Sequence, residues 1–161
     1  MSKEILNLGF RQEGLGKLLS NLYHYEFEID GILVHSMESF LQSLKTNDLE
    51  EKKKLYFMSG YFAWKYGQQL NWYDKQILYW NNKEYNRHSE EYKQLIEHAY
   101  DCLFDNFFFK ENLKKSLDYD IDHSIGKTNP YETILTKNEY LDNLNRLRDK
   151  LRKKRFFNIF G

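Results

Sequence analysis

A chain of 161 residues with 41% apolar side chains, and with 24 basic residues against 24 acidic ones, is long enough to bury one core and too evenly charged to be a disordered segment or a polycation for nucleic acid. Cys102 is the only cysteine, which excludes an internal disulfide and makes a reducing, cytoplasmic compartment the expectation. No apolar run approaches the ~20 residues of a membrane helix. The N-terminal Met1-Ser-Lys-Glu-Ile-Leu lacks the apolar region of a signal peptide. Aromatic residues reach 17%, with 13 Tyr, 12 Phe and 3 Trp, while alanine occurs only at Ala63 and Ala99. Lys, Asn, Tyr, Phe and Ile share A/T-rich codons, so a low-GC genome such as a phage's accounts for this. An aromatic pocket for a planar ligand is the competing reading, and core filling the commoner use.

The first element in chain order is a hairpin over 24–35. Tyr25, Phe27 and Ile29 alternate with His24, Glu26 and Glu28, Asp30-Gly31 supplies a two-residue turn, and Ile32 to His35 returns. Ser36 caps a helix over 37–46 whose apolar face is Met37, Phe40, Leu41 and Leu44. Asp48 and Glu51 form a capping box that opens a helix reaching toward Tyr66. A further helix spans Glu90 to Phe104, with Tyr92, Leu95, Ile96, Ala99 and Leu103 at 3.6-residue spacing. A shorter one follows near 110–117. The stretch 118–135 holds neither period and reads as a loop, the kind of segment that carries function. Thr136 and Glu139 then cap a basic last helix over about 137–155, with Tyr140, Leu144, Leu147 and Leu151 inward. The expected fold is α+β, a mainly helical single domain over 1–161 with a small antiparallel β element.

Three polar groupings stand out. Glu38, Gln42 and Lys45 lie about 80–140° from the apolar face of their helix, at the margin where a cleft floor would run. An ordinary solvated edge explains them as well, and on geometry alone it is preferred. Asp122-His-Ser-Ile-Gly126 precedes Lys127 and Thr128, but the upstream glycine of a phosphate loop is missing, which argues against a nucleotide triphosphatase. Arg146, Arg148, Lys150, Arg152, Lys153, Lys154 and Arg155 crowd ten positions. They form either a solvated helix face or a phosphate contact for nucleic acid, and the density favours the second. The five histidines have no paired spacing, so no metal and no other cofactor is expected. No Gly-x-Ser-x-Gly elbow exists, and Cys102 reads as a buried thiol.

Leu19-Ser20-Asn21-Leu22-Tyr23, the Asp30-Gly31 hairpin and Ser36-Met37-Glu38-Ser39-Phe40-Leu41-Gln42-Ser43-Leu44-Lys45 together resemble the N-terminal signature of the NADAR (YbiA-like) family. That family reads Leu-Ser-Asn-Phe-Tyr, a strand pair around Asp-Gly, then Ser/Thr-Val-Glu-His-Tyr/Phe-x-Gln-Ala-x-Lys. Leu95-Ile-Glu-His-Ala-Tyr-Asp-Cys-Leu-Phe104 resembles the family's Val-Met-x-x-Ala-Leu-x-x-Lys-Phe helix, and Asp122-His-Ser-Ile-Gly126 its Asp-x-x-Trp-Gly. The family's histidine after the glutamate is Ser39 here, and its tryptophan before glycine is Ile125. The resemblance implies hydrolysis of a C–N bond between ribose and a base, in an ADP-ribosyl or phosphoribosyl compound such as ADP-ribosylated guanine. It implies Glu38 and Asp122 as the catalytic carboxylates. Ser20, Asn21, Tyr23, Gln42, Lys45, Trp80, Arg87, His123 and Gly126 would bind substrate, with Lys45, Arg87 and His123 on phosphate and Tyr23 or Trp80 stacked on a base. The rivals are a non-catalytic ADP-ribose or nucleotide-binding module, and a nucleic-acid-binding protein acting through Arg146, Arg148, Arg152, Lys153, Lys154 and Arg155. No membrane partner is expected.

Overall fold

The computed structural model describes residues 2–160. The chain opens with β1 (Ile5–Asn7) and a one-turn helix, α1 (Gly14–Leu18). The predicted hairpin follows as β2 (Phe27–Ile29) and β3 (Ile32–Val34), turned by Asp30 and Gly31 at φ 51° and 81°. Positive φ at both central residues matches the right-handed twist of the strands, and Asp-Gly adopts it at low cost. Phe27, Ile29 and Val34 point into the core.

The Ser36 hydroxyl accepts from the Ser39 N–H at 3.0 Å and starts α2 (Met37–Ser43), all seven of whose residues are buried. The helix expected to run from Asp48 to Tyr66 is two. The capping box does open α3 (Leu49–Phe57), where the Asp48 carboxylate accepts from the Glu51 N–H at 2.8 Å. Met58 is extended, however, and Ser59 caps a fresh start for α4 (Gly60–Gly67). The break lets α4 turn back along α2, where Gly60, Ala63 and Gly67 form its buried face. A Cβ at Gly60 would overlap the Leu22 carbonyl, and one at Gly67 the Gln42 side chain, so glycine is what permits this approach.

A second hairpin, β4 (Ile77–Trp80) and β5 (Lys83–Asn86), was not anticipated. Asn81 and Asn82, at φ 50° and 62°, make its turn, a conformation asparagine tolerates. Next come α5 (Glu90–Leu103), carrying the predicted buried stripe, and α6 (Phe107–Lys115), capped by Asn106. Within the stretch read as a loop lies β6 (Asp120–Asp122), which pairs with β1 in parallel, Leu6 opposite Ile121. Three residues are too few to show a period, and the partner lies at the far end of the sequence. The reciprocal Thr136–Glu139 capping box, with bonds of 2.8 and 3.1 Å, opens α7 (Lys137–Phe160). Tyr140, Leu144, Leu147 and Leu151 are buried as predicted, each leucine contributing roughly 1.5–3 kcal/mol of transfer free energy. One contiguous apolar cluster joins β2, β3, α2, α5, α6 and α7, so the fold is a single α+β domain built mainly of helix. Among the described residues no helix is long and apolar enough to cross a membrane.

Candidate active site

The polar stripe on α2 is not a solvated edge. Glu38, Gln42 and Lys45 are all buried, Glu38 being 7% exposed, and α4 packs on Gln42 and Lys45 through Gly67. The Glu38 N–H donates to the Asn21 carbonyl at 2.9 Å, tying the start of α2 to the Leu-Ser-Asn segment. The Glu38 carboxylate accepts from Gln42 Nε2 at 2.6 Å, and the Gln42 carbonyl oxygen is buried without a partner. Burial pushes the Glu38 carboxyl above its ordinary range, against the opposing pull of the Gln42 amide and the Lys45 charge. Lys45 donates to the Gly67 carbonyl at 3.3 Å. Burial brings its ammonium down to about 8, with Glu38 opposing the shift and the nearby Lys127 adding to it.

Two buried tyrosines flank this pair. The Tyr100 hydroxyl donates to Asn21 Oδ1 at 2.8 Å, and the Tyr140 hydroxyl to the Leu19 carbonyl at 2.5 Å. Burial raises both phenols, and the charge of Glu38 adds to each shift, which places both within its reach. Tyr140 also meets the late Asp-His-Ser-Ile-Gly segment, since the His123 ring stands edge-on to it at 5.1 Å between centroids. His123 Nδ1 donates to the Leu8 carbonyl at 2.7 Å, which fixes a proton on that nitrogen. Tyr140 thus lies against His123 and within electrostatic reach of Glu38, whose own neighbours are Gln42, Lys45 and, through its N–H, the Asn21 carbonyl. The Ser20 hydroxyl accepts from the Leu22 N–H at 3.2 Å, and Gly126 packs on the His123 ring. Tyr23 is half-buried against Tyr25, at 5.0 Å between rings. Lys127 and the two tyrosines went unrecognised in the sequence. Lys127 was legible only as the lysine after Gly126, and the tyrosines were indistinguishable from core.

Three expected groups stand elsewhere or act differently. Trp80 is 1% exposed, sandwiched by Phe40 and Tyr56, and its indole N–H donates to Asp30 at 2.8 Å, so it has no face to offer a base. Arg87 is 3% exposed and grips Glu139 through both terminal nitrogens, at 3.2 and 2.5 Å, while its Nε donates to the Thr133 carbonyl. It lines a separate cavity of about 570 Å³ between α5, α7 and the 128–136 segment, to which neither Glu38 nor Lys45 contributes. Asp122 is ion-paired to Lys137 at 2.8 Å. That hydrogen bond, with one from the His123 N–H, holds its carboxyl below the usual range. It therefore stays ionised and is no proton donor.

Part of the basic helix is similarly engaged. Arg146 pairs with Asp101 at 2.6 Å, Arg152 with Asp149 at 2.9 Å, and Arg148, 2% exposed, caps the carbonyls of Ser116 and Tyr119 at the end of α6. Lys153, Lys154 and Arg155 remain exposed. Among the described residues no group of three His, Cys, Asp or Glu side chains is placed to hold a metal.

The fold is that of the YbiA-like, NADAR-type proteins. The NMR structure of the E. coli protein YbiA superposes with a TM-score of 0.62 at 15% identity, over 97% of this chain and 89% of that one. Within this class, the chain belongs to the family of bacteriophage protein GP30.3, which matches residues 15–149. A relative from Enterobacteria phage T4, the 17.1 kDa protein of the Gp30-rIII intergenic region, is 34% identical over 137 residues, covering 83% of this chain and 90% of its own length.

Proposed function

We propose that this protein is an N-glycosidase that hydrolyses the C–N bond between ribose and a base in an ADP-ribosyl or phosphoribosyl compound, ADP-ribosylated guanine being the first to test. The observation that carries the reading is Glu38. It is a buried carboxylate held by a neutral amide rather than by an ion pair, beside a lysine whose proton is loosely held near neutral pH. Breaking the bond passes through an oxocarbenium-like state, which a nearby carboxylate stabilises. A carboxylate with a raised pKa is also the better base. Glu38 takes a proton from water as the water oxygen bonds to the anomeric carbon. The C–N bonding pair leaves with the base, which takes a proton from the Lys45 ammonium. Proton transfer from Glu38 to Lys45 then restores both groups. Lys127 and His123, on the flank of the pair, suit the phosphates.

Incubation with ADP-ribosylated guanosine, followed by chromatography of the released base, tests the reading. Release by the wild type, and retained binding without release by Glu38→Gln, are expected. Binding without release by the wild type itself would make the protein a sequestering module. The exposed Lys153, Lys154 and Arg155 support a second reading, contact with nucleic acid, and a salt-independent or absent DNA affinity would dispose of it.

A further inference from the structure

Of the two rings expected to stack on the base, Trp80 lies in the core and Tyr23 is half-buried against Tyr25, which leaves room for a further stacking surface. The packing of α4 on α2 supplies one. The two helices run parallel. The Ser39 hydroxyl donates to the Met58 carbonyl just before α4 at 2.8 Å, Gly60 abuts Leu22, and Gly67, a helix-length further on, abuts Gln42 and accepts from Lys45. The seam has two flanks. On one, Lys52 of α3 donates to the Ser43 carbonyl at 2.8 Å, and the Tyr66 hydroxyl of α4 donates to Glu51 of α3 at 2.7 Å, so α3 covers that side. Glu38 and Lys45 lie on the other flank of α2.

At about 100° per residue, Trp64 falls four positions after Gly60 and three before Gly67, rotated from their common face away from Tyr66. In a parallel pair that rotation brings it to the flank of Glu38 and Lys45, within about one helical turn along the axis. Tyr61 lies next on the same flank. Both rings are 44% exposed, and they stand 6.3 Å apart at a tilt of 33°, an open aromatic ledge.

We propose that Trp64, backed by Tyr61, is the wall on which the departing base of the substrate stacks, so that the enzyme selects planar heterocycles at the scissile bond. The proposal rests on the glycosidase reading and supplies its specificity element. An indole face beside the reacting carbon holds a purine in line with Glu38, and stacking on an aromatic ring suits any flat base.

The other two tryptophans, Trp72 and Trp80, are 2% and 1% exposed, so ligand-induced changes in indole emission report on Trp64. The binding experiment uses Glu38→Gln, which keeps substrate intact, titrated with ADP-ribosylated guanosine, ADP-ribose and ribose 5-phosphate, by fluorescence and in parallel by calorimetry. Quenching by the guanosine compound alone is expected. Adding Trp64→Ala should remove the quench and weaken calorimetric binding about tenfold or more, adding Trp64→Phe should restore most of the affinity, and ribose 5-phosphate should bind equally to all three. Equal quenching by ADP-ribose would put the adenine at the wall and overturn the assignment. Unchanged affinity in the Trp64→Ala background would overturn the wall itself. Base release by the unsubstituted enzyme is measured separately, so a failed wall and a failed glycosidase reading give different results.

Discussion

Two glutamates, the buried Glu38 on α2 and the partly buried Glu139 on α7, are held in opposite ways. Glu139 receives both terminal nitrogens of Arg87 and the Thr136 N–H. Burial alone would raise its carboxyl, but the Arg87 hydrogen bonds and charge outweigh it, and the group is held below its usual range. Glu38 has one neutral amide and a lysine at longer range, and burial wins. A carboxylate neutralised by a guanidinium fork fixes structure. One left with a single neutral partner is poised for a ligand.

The sharpest break of this contrast is activity. Glu38→Gln is expected to cut base release on the order of 10²–10⁴-fold while leaving the thermal midpoint by circular dichroism nearly unchanged. Arg87→Ala should do the reverse. It strands Glu139 beside the cavity and should cost about 3 kcal/mol in urea unfolding, with turnover per folded molecule retained. If Arg87→Ala instead abolishes turnover at full stability, the division between the two carboxylates fails. Gly67→Ala comes next, since its methyl would displace Gln42 from Glu38. About 1–3 kcal/mol of destabilisation from overpacking and a loss of roughly tenfold or more in rate are expected together.

The pH dependence sharpens the same contrast. Turnover needs Glu38 ionised and Lys45 protonated. The rate should therefore rise with pH through a midpoint above the ordinary carboxylate range and fall again near 8. A profile flat from pH 5 to 9 would sink the paired roles. Stability should behave differently. Lys45 and Lys52 are both drawn by burial from 10.5 to about 8, so between those values the unfolded chain binds more protons and stability rises with pH. Lys52→Met should reduce that rise. Above pH 10 the raised phenols of Tyr92, Tyr100 and Tyr140 keep protons that the unfolded chain loses, and stability should fall again. The smallest effect is Lys154→Ala, which touches no structural contact and should stay within about 0.5 kcal/mol.

Elements with local signals were legible. The Asp30-Gly31 turn, the Ser36 cap, the Asp48–Glu51 and Thr136–Glu139 boxes and the stripe of α5 all stand where the sequence puts them. The break at Met58 was hidden, because Ser59 looks like any other polar residue in a helix until α4 is seen to need a new direction. The Asn81-Asn82 turn does carry a local signal, since asparagine tolerates the positive φ that both residues adopt. At the site, the motif resemblance picked out Glu38, Gln42 and Lys45, whereas periodicity alone preferred a solvated edge for them. It also suggested Trp80 and Arg87, which the tertiary structure places in a core stack and an ion pair.

Residue order determines caps, turns and which helix faces are apolar, since those depend on atoms within four or five positions of one another. Which polar residues become buried was decided only when α4 closed over α2 and Tyr140 met His123. A pKa depends on the water and charges around a group, and those come from chain segments that sequence distance does not relate.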